Sequence, residues 1–495
     1  MNINISKEQN KNVDKRFLKY NEFKKTIVFS DDMVTRSIML ASKKEIKIMF
    51  VQSLIDHSFL SKFVLEPLMS LEKKQKVSLS TLMNKILCFG AVKEVENNEM
   101  MLNQLLSGFA LLFLEGEQKV LSVAVVGYEK RSITEPPTSA VLKGPREGFI
   151  EDYATNISMI RRRLKSKDLV VKMQKIGRVS QTDIAVLYLA NIADQNIVEK
   201  IENKLKAIDI DGIVDSYYLQ SFLENPNNKF FKQIGNSEKP DVVCAKLLEG
   251  RVAIVVDGSP IVLTLPYILL EDFQNADDYL THPFRATFLR SLRMLGIFFA
   301  ILLPGIYVAM QSFHYVIFPN NFLISLLNSI EQLSFPPLIE ILLVLFLFEI
   351  LNEASIRMPK YLGMALSIVG ALILGDTAVK AGIISSPSVM MVAISGICLY
   401  TVPDQVSAAS LLRIIFTVLG GIAGFYGIML GLIFLGSYLV GLDNYGTPYL
   451  APFAPYIRRD MKDAVVKQDL KKMKTRPKSI PNKNEVRMKY DNTDK

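Results

Sequence analysis

The 495-residue chain has no tryptophan, three cysteines and three histidines, and each shortage removes a class of function. Cys88, Cys244 and Cys398 lie far apart and show no CxxC spacing, so neither a disulfide framework nor a structural zinc site is expected. His57, His282 and His314 complete no metal-ligand pattern. A Walker A loop, a GxGxxG loop and a Ser/His/Asp arrangement are all missing, so the expectation is no enzyme, no cofactor and no metal. The opening stretch MNINISKEQNKNVDKRFLKYNEFKK is polar and charged and lacks the apolar core of a cleavable signal, which keeps the front half in the cytoplasm.

What is present divides the chain in two. Charged segments occupy the first half, whereas charge-free runs crowd the second. No charged residue follows Arg293 until Glu331, and further uncharged stretches run over 361–375, 381–403 and 414–442. Several are long enough to cross a bilayer, which takes roughly 20 residues as a helix. The expected fold class is therefore an α/β soluble N-terminal region followed by an α-helical polytopic transmembrane domain. Its parts are a polar segment at 1–24, a first α/β subdomain at 25–140, a second at 145–275, a transmembrane domain at 285–442 and a basic cytoplasmic tail at 443–495.

The soluble half matches itself. EIKIMFVQSLIDHSFLSK (45–62) aligns with DIAVLYLANIADQNIVEK (183–200), an apolar run followed by Asp56 or Asp194, and each copy reads as strand, turn, helix. The triplet LEG recurs at 114–116 and 248–250 between β-rich runs, which supports two similar subdomains; chance similarity of apolar runs is the alternative. Asp257-Gly258 has the composition of a tight turn.

GPREGFIEDYATNISMIRRRL (144–164) opens the second unit. Phe149, Tyr153, Ile157, Ile160 and Leu164 recur at helical spacing, with Pro145 suited to the first turn and the arginines near the C-terminus. Arg161, Arg162 and Arg163 are candidate subunit contacts. An anion grip and a helix that docks the two subdomains are the other readings.

In the membrane half, Arg285, Arg290 and Arg293 flank the first span and orient it outward from the cytoplasm. Residues 322–335 read as an interfacial or re-entrant helix. Glu349, Glu353 and Arg357 are spaced i, i+4, i+8 and share a helix face; with Asp376 they are the candidate ion-path or gating residues, a positioning salt bridge being the plainer reading. Glu340 lies in the first turn after Pro337, where a carboxylate can serve free N–H groups. Residues 414–442 suit one tilted helix or two short ones hinged at glycine. The basic tail belongs inside, so four or six spans are expected. Its lysines and arginines lack interleaved aromatics, which favours a solvated tail near anionic membrane lipid over nucleic acid.

The series GPREGFIEDYATNISMIRRRL, KPDVVCAKLLEGRVAIVVDGSP, DDYLTHPFRATFLRSLR, LPGIYVAM, FEILNEASIRMPKYLGMALSIVGALILGDTAVKAGIISSPSV and NYGTPYLAPFAP, in this order over about 140–456, resembles the A subunits of GerA-type spore germinant receptors. The resemblance implies an integral protein of the spore inner membrane whose soluble units face the cytoplasm, the spore-core side. It implies a permease-like B subunit and a lipoprotein C subunit as partners, and a homo-oligomer around an ion-conducting path. Nutrient binding would then trigger release of monovalent ions. The membrane signature falls on Asn352, Glu353, Arg357, Pro359 and Gly363, and the soluble one on Gly144, Pro145, Arg146, Glu147, Arg161 and Arg162. Asn444-Tyr445-Gly446 and the polar TVPDQVSAAS depart from the pattern. A secondary transporter of ions or small solutes is the alternative, suggested by Pro- and Gly-broken helices.

Overall fold

Asp56 and Asp194, which anchor the internal match, are both helix N-caps: Asp56 accepts from the N–H of Phe59 at 2.9 Å and Asp194 from that of Asn196 at 2.8 Å. Equivalent caps start the helices that follow equivalent strands in two α/β units, His57–Leu60 in the first and Gln195–Lys206 in the second. The computed structural model describes residues 15–488 apart from 72–76, 88–90, 128–143, 227, 229, 318, 320, 322–323, 325–334, 358–369 and 371–375. The first unit contains α1 (Leu18–Lys25), β1 (Met33–Met39), β2 (Glu45–Val51), β3 (Val92–Val95), α2 (Asn98–Leu105), β4 (Phe109–Leu114) and β5 (Val120–Ala124). The second contains α3 (Tyr153–Arg163), β6 (Leu169–Ile176), β7 (Thr182–Leu189), α4 (Gln195–Lys206), α5 (Ser216–Leu223), β8 (Gly235–Ser237), α6 (Pro240–Glu249), β9 (Val252–Val256) and β10 (Val262–Leu265). Both sheets are antiparallel with one strand order, β1-β2-β4-β5-β3 and β6-β7-β9-β10-β8.

Successive side chains on a strand point to opposite faces. In β7 and β9, Ile184, Val186 and Ile254 enter one core while Ala185, Leu187, Ala253 and Val255 enter another. Burial on both faces explains why these strands read as unbroken apolar runs. The two LEG triplets, however, are not equivalent. Gly116 turns β4 into β5, a position taken in the second unit by Asp257-Gly258, whereas Gly250 ends α6 ahead of β9. All three glycines have positive φ (82°, 83° and 105°), a shared requirement that made the triplets look alike out of register.

The helix of the 144–164 segment also starts later than its apolar spacing predicts. Asp152 is the N-cap and accepts from the N–H of Thr155 at 2.7 Å, so α3 begins at Tyr153. Phe149 lies ahead of the helix, where its N–H donates to the Glu238 carbonyl at 2.8 Å, and Pro145 has no helical role.

The helical part holds α7 (Pro283–Phe313), α8 (Pro337–Arg357), α9 (Ser386–Leu399) and α10 (Val406–Val440). Among the described residues, α7 and the stretch Pro403–Val440 are long and apolar enough to cross a membrane. The expected polytopic domain is thus observed as a helical part with two candidate apolar spans. The interfacial helix at 322–335 and the span at 361–375 fall largely outside the described residues, and the count of four or six with them.

Packing shows that α10 is a hairpin. Gly424 breaks it at φ 59°, ψ −145°, a conformation essentially reserved for glycine. Leu412, Phe416 and Leu419 of the first arm line a groove with Tyr438, Phe434 and Gly431 of the second, the antiparallel pairing of a fold about residue 424–425. The bundle has a near pole, facing the α/β units, and a far pole. Gly296 of α7 meets Thr401 near the first, and Phe313 and His314 meet Gly424 at the second. In α8, Leu338 packs on Gly421 near the far pole, and α9 starts there, at Ser385 beside Glu340. Gly305 and Gly420 let α7 and the first arm of α10 touch backbone to backbone; a Cβ on either would strike the other helix.

The tail is not a solvated appendage. After α10, β11 (Asp443–Asn444) and β12 (Thr447–Pro448) form a short ladder. The chain then straps the second unit: the Lys483 N–H donates to the Ile192 carbonyl at 2.7 Å, and Arg476 Nε donates to that of Leu248 at 2.7 Å. The turn carbonyl of Ile192 and the Leu248 carbonyl in the last turn of α6 offer acceptors that the tail's donors satisfy, which outweighs the solvation its lysines favour.

Candidate functional site

The four candidate ion-path residues do not form one cluster. Glu353 and Arg357 pair along their own helix at the near-pole end of α8, with side chains 62% and 78% exposed. Asp376 pairs with Lys380 in the same i, i+4 fashion, also exposed. Such pairs are worth about 0.3–0.5 kcal/mol and position a helix end. Glu349 alone points into the bundle, and it bonds to another helix instead of Arg357. The Arg413 Nη2 of α10 donates to Glu349 Oε1 at 2.6 Å.

Arg413 is completely buried. Its Nη1 donates to Ser395 Oγ of α9 at 3.3 Å, and Ser395 in turn donates to the Ala300 carbonyl of α7 at 2.7 Å. Its guanidinium lies 5.5 Å from the centre of the Phe348 ring. Four helices therefore meet on one charge in a setting where charge is costly unless paired. Pairing is incomplete, since Arg413 Nε has no partner among the described residues. Spacing along one helix could reveal Glu353–Arg357 but not this contact. The available signal was that Arg413 is the sole charged residue between Asp404 and Asp443.

A second polar network ties the bundle to the second α/β unit. Lys232 Nζ stands 2.7 Å from Asp404, in the turn between α9 and α10, and 3.4 Å from Asp272. Gln405 Nε2 donates to Asp272 Oδ2 at 2.7 Å, as does the Tyr267 hydroxyl at 2.6 Å. Burial works against the Lys232 charge, but Asp272 and Asp404 outweigh it and hold its pKa above the ordinary lysine value. The α9–α10 turn is thereby bonded directly to the soluble unit.

At the start of α7 the positive flank is neutralised instead of facing lipid headgroups, except at exposed Arg285. Asp278 accepts from Arg290 Nε at 3.0 Å and from Arg293 at 2.8 and 3.0 Å, and Arg290 reaches Asp463 of the tail at 2.9 Å. Burial alone would raise the Asp278 pKa, but donors from Arg293, the Asn275 N–H and Arg290 more than reverse it, so it lies below the usual carboxylate value. Its stabilisation is then complete above the unfolded value of about 3.9 and is lost as pH falls through the lower folded value. The expected result is that, as pH falls below the unfolded value, acid lowers the melting midpoint more steeply in the wild type than in Asp278→Asn, so that the two curves approach each other. Parallel acid titrations of the midpoint would count against this role.

Of the arginine triplet, Arg161 faces inward. It is buried against Asp32 and Ser30 of the first unit, with Nε 2.8 Å from Asp32 Oδ2 and Nη2 2.7 Å from Oδ1 and 2.9 Å from Ser30 Oγ. That geometry corrects the expectation of a subunit contact for Arg161 and matches the reading of a helix that docks the two subdomains. Arg162 and Arg163 remain partly exposed and share Glu147.

Residues 21–479 match the model of a family described as Bacillus/Clostridium GerA spore germination protein. The chain is 36% identical over 475 residues to spore germination protein KA of Bacillus subtilis strain 168, covering 95% of this chain and 87% of that one. It is 30% identical to spore germination protein GerLA of Bacillus cereus, covering 92% and 93%. Among solved structures, the N-terminal domain of the A subunit of the Bacillus megaterium spore germinant receptor GerK3 is 32% identical, with a TM-score of 0.40, covering 50% of this chain and 94% of that one.

Proposed function

The chain belongs to the Bacillus/Clostridium GerA spore germination protein family, and on that premise we propose that it is the membrane subunit of a nutrient-sensing germinant receptor. It couples germinant binding to ion release and the start of germination, as a homo-oligomeric channel in the spore inner membrane. A permease-like B subunit and a lipoprotein C subunit are its partners. The Arg413–Glu349 pair is the observation that carries this reading: a charge inside the bundle, shared by four helices, two of which join in a turn bonded to the soluble unit at Lys232 and Asp272. Glu353, Arg357 and Asp376, at the bundle's ends, are rim charges for the same path. Arg162 and Arg163 are the proposed contacts to a neighbouring subunit.

The transporter alternative draws less support. Its expected mark is a helix broken at mid-depth around a substrate. The break in α10 lies instead at the far pole beside Phe313 and His314, where it makes a hairpin turn.

Planar-bilayer recording of the purified chain, with and without its B partner, tests the proposal. The expected result is a cation current that appears or grows with nutrient when the partner is present. A silent bilayer under all conditions, with the assembled complex verified, or substrate uptake by the chain alone, would sink it.

A further inference from the structure

Near the far pole, Glu340 of α8 is fully buried and uses half of its carboxylate. Oε1 accepts from the Ser385 N–H at 2.6 Å and from the Ser385 hydroxyl at 2.7 Å, so it serves the start of α9 and not, as its place after Pro337 suggested, its own helix. Oε2 is buried without a hydrogen-bond partner among the described residues. The Tyr307 hydroxyl of α7 is buried too, makes no well-formed hydrogen bond among the described residues, and lies near Ser385, Ser388 and Glu340. Ser388 is 0% exposed, with its hydroxyl 2.9 Å from that of Ser385. Around them lie Val308, Ile341, Val344 and Val392.

A carboxylate oxygen with no donor in such surroundings is costly unless its charge is balanced. No cationic side chain bonds to Glu340 among the described residues. What lies together here is a set of hard oxygens from three helices: the free carboxylate oxygen of Glu340 and the hydroxyls of Tyr307 and Ser388. Oxygen ligands without nitrogen or sulfur suit alkali and alkaline-earth ions over transition metals. A single negative charge favours a monovalent ion, because a divalent one would leave a net positive charge in apolar surroundings. We infer that Glu340, Tyr307 and Ser388 form a binding site for one alkali cation, Na⁺ or K⁺, between α7, α8 and α9. This inference rests on the reading of these helices as a membrane bundle that takes part in ion release, and gives that bundle a resident ion.

Binding is measurable without germination. The full-length chain in detergent or nanodiscs is melted in choline chloride and then in NaCl or KCl at matched ionic strength. The expected result is a saturable rise in the midpoint with at least one alkali ion, about 5 °C at roughly 100-fold above its Kd. Glu340→Gln keeps an oxygen for Ser385 and should melt independently of the salt. Tyr307→Phe should keep the response with about tenfold weaker affinity, and serves alone if Glu340→Gln does not fold. Identical wild-type melting in all three salts overturns the site, as does a shift retained in Glu340→Gln. A midpoint that rises on acidification and ignores Na⁺ and K⁺ assigns a proton to Oε2 and also overturns it. Failure here with nutrient-gated current intact leaves the proposed function standing, and cation binding without current leaves the site standing.

Discussion

Arg413→Ala is expected to lower nutrient-triggered ion release by about 5- to 150-fold, the span of a coupling energy of 1–3 kcal/mol between two sites, and to destabilise the bundle. Removing the guanidinium strands Glu349 and leaves Ser395 without its second bond. Breaking a fully buried ion pair typically costs 3–5 kcal/mol. Glu349 is one-third exposed, so about 2–4 kcal/mol is the sensible figure here. The loss of stability and the loss of release must be separated, because either could silence the spore.

The separation comes from replacing both partners. Arg413→Met with Glu349→Leu removes the two charges together and fills similar space, and such swaps are often neutral or stabilising. If the pair only holds α8 against α10, the double variant should assemble and release ions normally. The proposed function requires that it assemble normally and still fail to respond to nutrient. Germination with wild-type kinetics in the double variant would reduce the pair to a structural clamp and remove the main support for the coupling role. Ion efflux from purified spores, with complex abundance in the inner membrane as control, reads both quantities.

The parts of this arrangement that the sequence exposed are those governed by local rules. Asp56 and Asp194 were visible as matching positions in a repeated strand–turn–helix pattern, the Asp257-Gly258 turn by its composition, and the hinge option for residues 414–442 by its glycines. Periodicity also placed Glu349 with Glu353 and Arg357 on one face, but it cannot say which neighbour that face meets. Over two helical turns a small rotation separates a residue that enters the bundle from one at its rim, and Arg413 lies 64 positions away in sequence. The same limit hid Asp278 from Arg293, Lys232 from Asp404 and Asp32 from Arg161, pairs separated by 15, 172 and 129 residues. The tail was misjudged for a related reason: its composition favours solvent, while its docking depends on carbonyls that no composition reveals.

Arg161→Met should have the largest effect on the soluble half, about 3–5 kcal/mol, because both partners of its ion pair are 0% exposed. The guanidinium makes three bonds to the first unit from a helix of the second. Its loss leaves Asp32 buried with only the Ser30 hydroxyl at 2.6 Å. The joint is reinforced beside it, where the Asp31 N–H donates to the Val171 carbonyl at 2.9 Å, the Val171 N–H to Ser30 Oγ at 2.9 Å, and the Met173 N–H to Asp31 Oδ2 at 2.8 Å. Residues 30–32 thus run along β6 as an added edge, and Arg161 closes that seam from behind. Global melting of a chain with several units is a poor gauge of one joint; amide exchange of Asp31, Val171 and Met173 is a direct one. The variant should exchange these amides faster by roughly 100-fold or more, since each 1.4 kcal/mol of local opening is a factor of ten. Strands β2 and β9, inside their own sheets, should be unchanged. Pairing it with Asp32→Leu should restore most of the protection, because no charge is then left stranded. Uniformly faster exchange through both sheets would mean that Arg161 stabilises the second unit as a whole. The joint between the two units would then rest on the hydrogen bonds of residues 30–32 to β6 and not on the ion pair.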